Sequence, residues 1–409
     1  MILHTITLPN GIRLVHQEIP TPVAHCGLFI NAGSRDEPET GHGIAHFIEH
    51  TIFKGTKKRN LFQVLNRLEN VGADLNAFTG KEETCIYASF LNIYYERTLD
   101  LFQDIFFHST FPEKEIVKEK QVVADEIRSY MDTPAEKIFD DFEDLVFAGH
   151  PLGRNILGTE KTIRNISGSD ILDFMNHNYH LDGVVIASSG NIPFARLVKL
   201  VTRSFSNNPE RGTVTPRIPF QKFTSFHQVQ KKKVFQVHCL LGAPAYPFHD
   251  DRRIALALLN NMLGGPIMNS RLSLALRERN GLTYHNESNY TSYSDSGVIT
   301  IYFSTEASRY EKALSIVHKE LTRLRTELLT TMQLHTIRKQ LIGQLAIAQE
   351  SNLSNMLSFG KSFLLQDRFD PVETIIEKIE GVTAACLRDI ANEIFEPGLL
   401  SILTYVPKY

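Results

Sequence analysis

A faint internal repeat, with a period slightly over half the length of the 409-residue chain, runs through this sequence and calls for an architecture made twice. Val23-Ala-His-Cys-Gly-Leu28 resembles Gln236-Val-His-Cys-Leu-Leu241, Tyr95-Glu-Arg-Thr-Leu99 resembles Tyr310-Glu-Lys-Ala-Leu314, and Glu119-Lys-Gln-Val-Val123 resembles Arg338-Lys-Gln-Leu-Ile342. The offsets are 213, 215 and 219 residues, a slow drift of the kind that loop insertions produce. Three matches in the same order imply duplicated halves. Between them runs a turn-rich polar passage that begins Ser206-Asn-Asn-Pro-Glu-Arg-Gly and continues past Pro219. The expected division is therefore a first domain over 1–205, a linker over 206–230 and a second domain over 231–409.

Within each half, strand-like runs alternate with long helical patterns. Thr84-Cys-Ile-Tyr-Ala-Ser-Phe90 and Gly297-Val-Ile-Thr-Ile-Tyr-Phe303 read as strands. Thr110-Phe-Pro-Glu113 reads as a capping box with proline in the first turn, opening a helix free of Pro and Gly through Met131. Asp132-Thr133-Pro134 then predicts a turn and a new helix. The expected fold class is α+β: two homologous domains, each a mostly antiparallel sheet flanked by helices.

Composition excludes several function classes. A formal charge of -3, with no basic stretch interleaved with aromatics, argues against nucleic acid as a partner. No stretch approaches the roughly 18 apolar residues of a membrane span, and the start lacks a basic region followed by an apolar one, so a cytoplasmic location is expected. The four cysteines, Cys26, Cys85, Cys239 and Cys386, have no CxxC spacing and fit reduced thiols rather than a disulfide frame.

The chemistry concentrates at His46-Phe-Ile-Glu-His50. Two histidines four apart on a helix project from one face a turn apart, so both imidazoles can reach one ion. Glu49 falls beside them, close enough to hold a water without ligating the metal. This H-x-x-E-H order occurs in metallopeptidases. A catalytic zinc site also needs a third protein ligand and an open position. Glu119 and Glu126, seven apart on the helix opened at Thr110, share a face, and one carboxylate can complete the coordination while the other orients a histidine. Spacing alone leaves open which glutamate ligates, or whether both belong to a solvated charged face.

With these residues in hand, the chain resembles the pitrilysin-like, M16-type family of zinc peptidases, the inverzincins, across essentially its whole length. Gly43-Ile-Ala-His-Phe-Ile-Glu-His-Thr-Ile-Phe-Lys-Gly-Thr56 is similar to the family's metal helix. Asn76-Ala-Phe-Thr79 resembles its substrate-pairing edge strand, and Met262-Leu-Gly-Gly-Pro-Ile-Met-Asn-Ser-Arg-Leu272, followed by Arg277 and Tyr284, resembles the glycine-rich segment and Arg/Tyr pair of its second half.

The resemblance implies two LuxS/metallopeptidase-like domains and one zinc ion per chain, held by His46, His50 and Glu126, with Glu119 behind a ligand and Glu49 as the base. It further implies that Tyr284 and Arg277 assist catalysis and that Asn76, Ala77 and Phe78 bind substrate. Glu136 and Asp140 resemble an acidic pair that receives a basic residue of the substrate in the mitochondrial processing peptidase. The second half has no H-x-x-E-H, and Leu345 stands where the repeat would place a partner of Glu126, which implies a non-catalytic twin. The implied activity is a zinc-dependent endopeptidase acting on peptides or unfolded segments inside a closed chamber, working as a homodimer or as a heterodimer with a homologous chain. The competing implication is a catalytically silent assembly subunit of the same fold; the presence of His46, Glu49, His50 and Glu126 together favours the enzyme.

Overall fold

The computed structural model describes residues 2–206 and 216–408. It forms two compact units. The first contains a six-stranded sheet in the order β1-β2-β6-β3-β5-β4, built from β1 (His4–Thr7), β2 (Arg13–Glu18), β3 (Val23–Ile30), β4 (Asp74–Thr79), β5 (Thr84–Leu91) and β6 (Val184–Gly190). The second contains a five-stranded sheet in the order β7-β11-β8-β10-β9, from β7 (His227–Lys232), β8 (Val237–Pro244), β9 (Asn286–Ser292), β10 (Gly297–Thr305) and β11 (Ser401–Pro407). Every pairing is antiparallel except β2 with β6 and β7 with β11, so both sheets are mixed but mostly antiparallel.

The strand order β2-β6-β3-β5-β4 of the first unit is reproduced as β7-β11-β8-β10-β9 in the second. The three sequence matches fall on equivalent elements: β3 and β8, the Tyr95–His108 and Tyr310–Thr326 helices, and the Glu113–Met131 and Thr331–Ala348 helices. The Glu113–Met131 helix ends where the sequence predicted. It begins at Glu113 itself, so Thr110 stands outside its first turn rather than capping it.

Each sheet is buried on both faces, so its strands carry apolar residues in both alternating sets. In the first unit Cys26, Leu28 and Ile30 of β3 face a core shared with Phe47, Leu99 and Phe102, while Phe29 faces the other side with Met356 and Phe359. Those last two belong to the Asn352–Gln366 helix. In the second unit Cys239 and Leu241 share a core with Leu256 and Val317, and Leu240 packs oppositely against Ile138 and Phe142 of the Pro134–Val146 helix.

The compact units therefore differ from the linear halves 1–205 and 231–409. The first comprises Met1–Ser129, Arg154–Ile218 and Ala348–Phe369, and the second Tyr130–Gly153, Pro219–Ile347 and Asp370–Tyr409. Each half of the sequence lends one helix to the other half's sheet. Both helices approach closely at glycine: a Cβ on Gly360 would lie 2.3 Å from the Phe29 ring, and one on Gly242 would lie 2.8 Å from that of Phe142. Of the expected linker 206–230, residues 207–215 lie outside the described residues, 216–218 belong to the first unit and 219–230 to the second. All four cysteines are free thiols, and among the described residues no helix is long and apolar enough to cross a membrane.

Candidate metal centre

The site is built on the short Ile44–Thr51 helix of the first unit. The chain enters it through Gly43, whose φ of 93° lies in the left-handed region that glycine tolerates. The carboxylate of Glu37 meets the helix start, accepting the N–H groups of Gly43 and Ala45, each at 2.9 Å. Side-chain oxygens placed at a helix N-terminus satisfy otherwise orphaned backbone donors. Ile44, Phe47 and Ile48 are buried in the core, which turns His46, Glu49 and His50 toward the opposite side of the helix.

The Glu113–Met131 helix supplies the facing carboxylates. Glu126 Oε1 lies 3.8 Å from Nε2 of His46, and Glu126 Oε2 lies 3.3 Å from Nε2 of His50. One donor atom from each of these three residues falls within 4.8 Å of the others, the one such grouping of His, Cys, Asp or Glu among the described residues. Ligand atoms about 2.1 Å from a tetrahedral zinc sit roughly 3.4 Å from one another, so the separations suit that ion. Glu119, seven residues earlier, faces the other nitrogen of His50, with Oε2 3.4 Å from Nδ1, while its Oε1 pairs with Lys54 Nζ at 2.7 Å. The two imidazoles stand edge to face, with centroids 4.7 Å apart.

Electrostatics suit the same purpose. Burial, with a smaller contribution from His50, holds the His46 pKa down to about 4, so the ring is neutral at pH 7, the state a ligand requires. Nδ1 of His46 is sealed from solvent and makes no hydrogen bond. Burial raises the pKa of Glu49, opposed by hydrogen bonding from Thr79 and by His50 and reinforced by the neighbouring Glu126 charge. The residues fit a zinc ion: two imidazole nitrogen donors, one carboxylate 42 % exposed toward solvent, and a second acid beside them that is not one of the three.

Thr79 links this centre to the sheet edge. It ends β4, the terminal strand of the sheet, and its hydroxyl lies 3.5 Å from the Ala45 carbonyl of the metal-site helix. Asn76, Ala77 and Phe78 lie on β4, whose other side is unpaired among the described residues. Within the strand, Asn76 Oδ1 accepts the Ala77 N–H at 2.8 Å, and Phe78 packs 6.2 Å from the Tyr87 ring.

Four sequence candidates lie in the second unit. Arg277 and Tyr284 line a 510 Å³ pocket with Gly264, Gly265 and Asn286; the guanidinium stacks over the Tyr284 ring at 5.4 Å, and Tyr284 is 83 % exposed. Glu136 and Asp140 lie one turn apart on the Pro134–Val146 helix, which has Pro at its first position as the sequence predicted. Asp140 accepts a hydrogen bond from the Tyr130 hydroxyl.

Sequence reasoning missed Glu37, Lys54 and Thr79. Lys54 lies three residues beyond the end of the Ile44–Thr51 helix, so its spacing from His50 does not place it on that helix face. Glu37 and Thr79 reach the site only through loop geometry and strand position, which no local spacing records.

Comparisons with known proteins place the chain in a family. Residues 13–160 match the family described as insulinase, peptidase family M16, and residues 165–341 match the peptidase M16 inactive domain. The chain is 35 % identical over 394 residues to the uncharacterized zinc protease YmxG of Bacillus subtilis, covering 95 % of each chain. It is 32 % identical over 398 residues to an uncharacterized zinc protease of Rickettsia bellii, covering 96 % of this chain and 95 % of that one. The fold matches the crystal structure of a protease from Helicobacter pylori with a TM-score of 0.90 at 22 % identity, over 99 % of this chain and 100 % of that one. It also matches a structure titled peptidase M16 inactive domain from Pseudomonas fluorescens, with a TM-score of 0.92 at 18 % identity, over 100 % of this chain and 98 % of that one. With both halves matched in order and a relative of this identity along nearly its full length, the chain belongs to peptidase family M16.

Proposed function

We propose that this chain is a zinc-dependent endopeptidase that hydrolyses peptides or unfolded segments bound in extended form, with one zinc per chain held by His46, His50 and Glu126. The observation that carries this reading is the convergence of those three side chains, from two helices, beside a half-buried acid and the end of an edge strand unpaired among the described residues. When bound, zinc supplies Lewis acidity, which polarises a carbonyl and makes water acidic enough to ionise near neutral pH.

The chain's own residues do the rest. Glu49, its pKa raised by burial toward the working range, accepts the proton of the attacking water and returns it to the leaving amine. Glu119 orients His50 through Nδ1 and is itself held by Lys54. The free edge of β4 pairs with the substrate backbone as an added strand, which selects extended over folded chains. Tyr284, with Arg277, assists in stabilising the developing oxyanion, and Glu136 with Asp140 receives a basic side chain. The working unit is a dimer, of two identical chains or of this chain with a homologue; a fully active monomer by light scattering would contradict it.

The test is Glu49→Gln set beside His46→Ala. The first keeps one equivalent of zinc and loses peptide hydrolysis by roughly 10²–10⁴-fold, because the amide cannot take a proton. The second loses the metal. Near wild-type turnover in Glu49→Gln, or a full zinc equivalent in His46→Ala, removes the assignment.

A further inference from the structure

A second candidate site lies in the second unit, on residues other than those of the metal centre, where Arg271 lines a cavity of 280 Å³. The cavity lies between the segment following the Arg253–Gly264 helix and the Thr331–Ala348 helix. Its apolar walls include Met262, Ile267, Leu274 and Leu329, and Gln333 and Thr336 bring polar groups from the second helix. Met332, also at the cavity, is 72 % exposed.

The state of Arg271 sets this cavity apart. Its side chain is only 19 % accessible, yet its guanidinium makes no hydrogen bond among the described residues, and Nη1 is sealed from solvent without a partner. The nearest carboxylate oxygen, Oε2 of Glu320, lies 3.9 Å from Nη1, beyond hydrogen-bonding distance, and Glu320 Oε1 already accepts from Arg323 at 3.1 Å. Burial lowers the Arg271 pKa, with Glu320 and Glu327 pulling against it and Arg323 adding to it. Buried charges in folded proteins are ordinarily paired and hydrogen-bonded; here Glu320 supplies a counter-charge at 3.9 Å from Nη1, but no group among the described residues accepts a hydrogen bond from the guanidinium. The backbone after it winds as a π-helix, Ser273–Glu278, a form that recurs at functional sites.

We propose that this cavity binds the free C-terminal residue of a peptide, with the terminal carboxylate on the Arg271 guanidinium and an aliphatic side chain against Met262, Ile267 and Leu274. The planar fork of arginine matches a carboxylate through two parallel hydrogen bonds, and the surrounding apolar atoms strengthen that pair by excluding water. A cavity of 280 Å³ has room for a single apolar residue beside the guanidinium. This inference rests on the peptidase reading for its source of ligand, because peptide hydrolysis creates a new terminal carboxylate at every turnover. The site then retains or anchors chains by that end.

Ligand-observed NMR titration of the full chain with N-acetyl-L-leucine and with N-acetyl-L-leucinamide tests it. The acid is expected to bind at least tenfold more tightly than the amide, and Arg271→Gln is expected to abolish the difference. Because that variant removes a largely buried group, Met332→Glu is measured beside it; this exposed change leaves Arg271 intact, sets a like charge near the carboxylate, and is expected to weaken the acid and not the amide. His46→Ala separates this site from the metal centre and leaves acid binding unchanged. Equal affinities for acid and amide, or acid binding retained in both Arg271→Gln and Met332→Glu, overturn the proposal. Acid binding that is lost in His46→Ala places the carboxylate at the metal centre and overturns it too. Octanoate serves as the small-molecule arm, and binding of octanoate tenfold tighter than N-acetyl-L-leucine overturns the peptide C-terminus as the occupant. Near wild-type hydrolysis in Glu49→Gln, which removes the peptidase assignment, leaves every one of these readouts in place, so the two readings fail separately.

Discussion

Oε2 of Glu119 lies 3.4 Å from Nδ1 of His50, the ring nitrogen turned away from Glu126. A carboxylate in that position fixes the tautomer and raises the basicity of Nε2, and its own second oxygen is tied to Lys54 at 2.7 Å. Glu119→Gln is expected to weaken zinc binding by about 10–100-fold while leaving the fold intact, and Glu119→Ala to weaken it further. Competition with a chromogenic chelator measures this. Unchanged zinc affinity in both variants would show that Glu119 does not tune the ligand.

Glu37 predicts a pH dependence of stability. The side chain is 5 % exposed, and burial pushes its pKa up to about 8 against the two N–H groups it accepts and the nearby Arg154 and Lys81 charges. The unfolded chain has the ordinary glutamate value near 4.3, so between these two pH values the folded state holds a proton that the unfolded state has released. Stability from this group is therefore complete below about pH 4 and is lost as pH rises to about 8. Glu37→Gln removes that slope. Urea unfolding at pH 5 and pH 8.5 is expected to show the gap between wild type and variant shrinking, or reversing, by a few kcal/mol at the higher pH. A constant gap contradicts the assignment.

The close approach of the Asn352–Gln366 helix to the first sheet predicts opposite outcomes for two glycine substitutions. Gly360→Ala puts a Cβ 2.3 Å from the Phe29 ring and 2.9 Å from the Ala187 side chain, an overpacking expected to destabilise by about 1–3 kcal/mol. Gly343→Ala, within the Thr331–Ala348 helix and with nothing within 4 Å, is expected to stabilise by about 0.4–1 kcal/mol through the unfolded state. Denaturant midpoints decide between these and an equal effect at both positions.

Glu136 and Asp140 predict substrate preference. If the pair receives a basic side chain, kcat/KM for a peptide with Arg upstream of the cleaved bond exceeds that of its norleucine counterpart by about tenfold, the value of one charge-assisted hydrogen bond. In Glu136→Gln/Asp140→Asn the two peptides become equivalent. An arginine preference that survives the double variant assigns the specificity to other residues.

The elements and most residues of the candidate metal centre are legible in the sequence, because both are written in local spacing. Four-residue spacing put His46 and His50 on one helix face, seven-residue spacing put Glu119 and Glu126 on another, and the drifting repeat named the strands and helices that the two sheets share in strand order. What those faces meet is set by the packing of the folded chain. It turned Glu126 toward Nε2 of both histidines and Glu119 toward Nδ1 of His50, a choice that helical periodicity leaves open because residues seven apart are equivalent along one face. It brought Glu37 to the start of the metal-site helix and Thr79 to its flank across loops whose geometry no spacing encodes. It also exchanged the Pro134–Val146 and Asn352–Gln366 helices between the two halves of the chain. An amphipathic helix specifies how wide a face must be buried, and the sheet that buries it is chosen by complementary shape, here by the glycines Gly242 and Gly360 that admit Phe142 and Phe29.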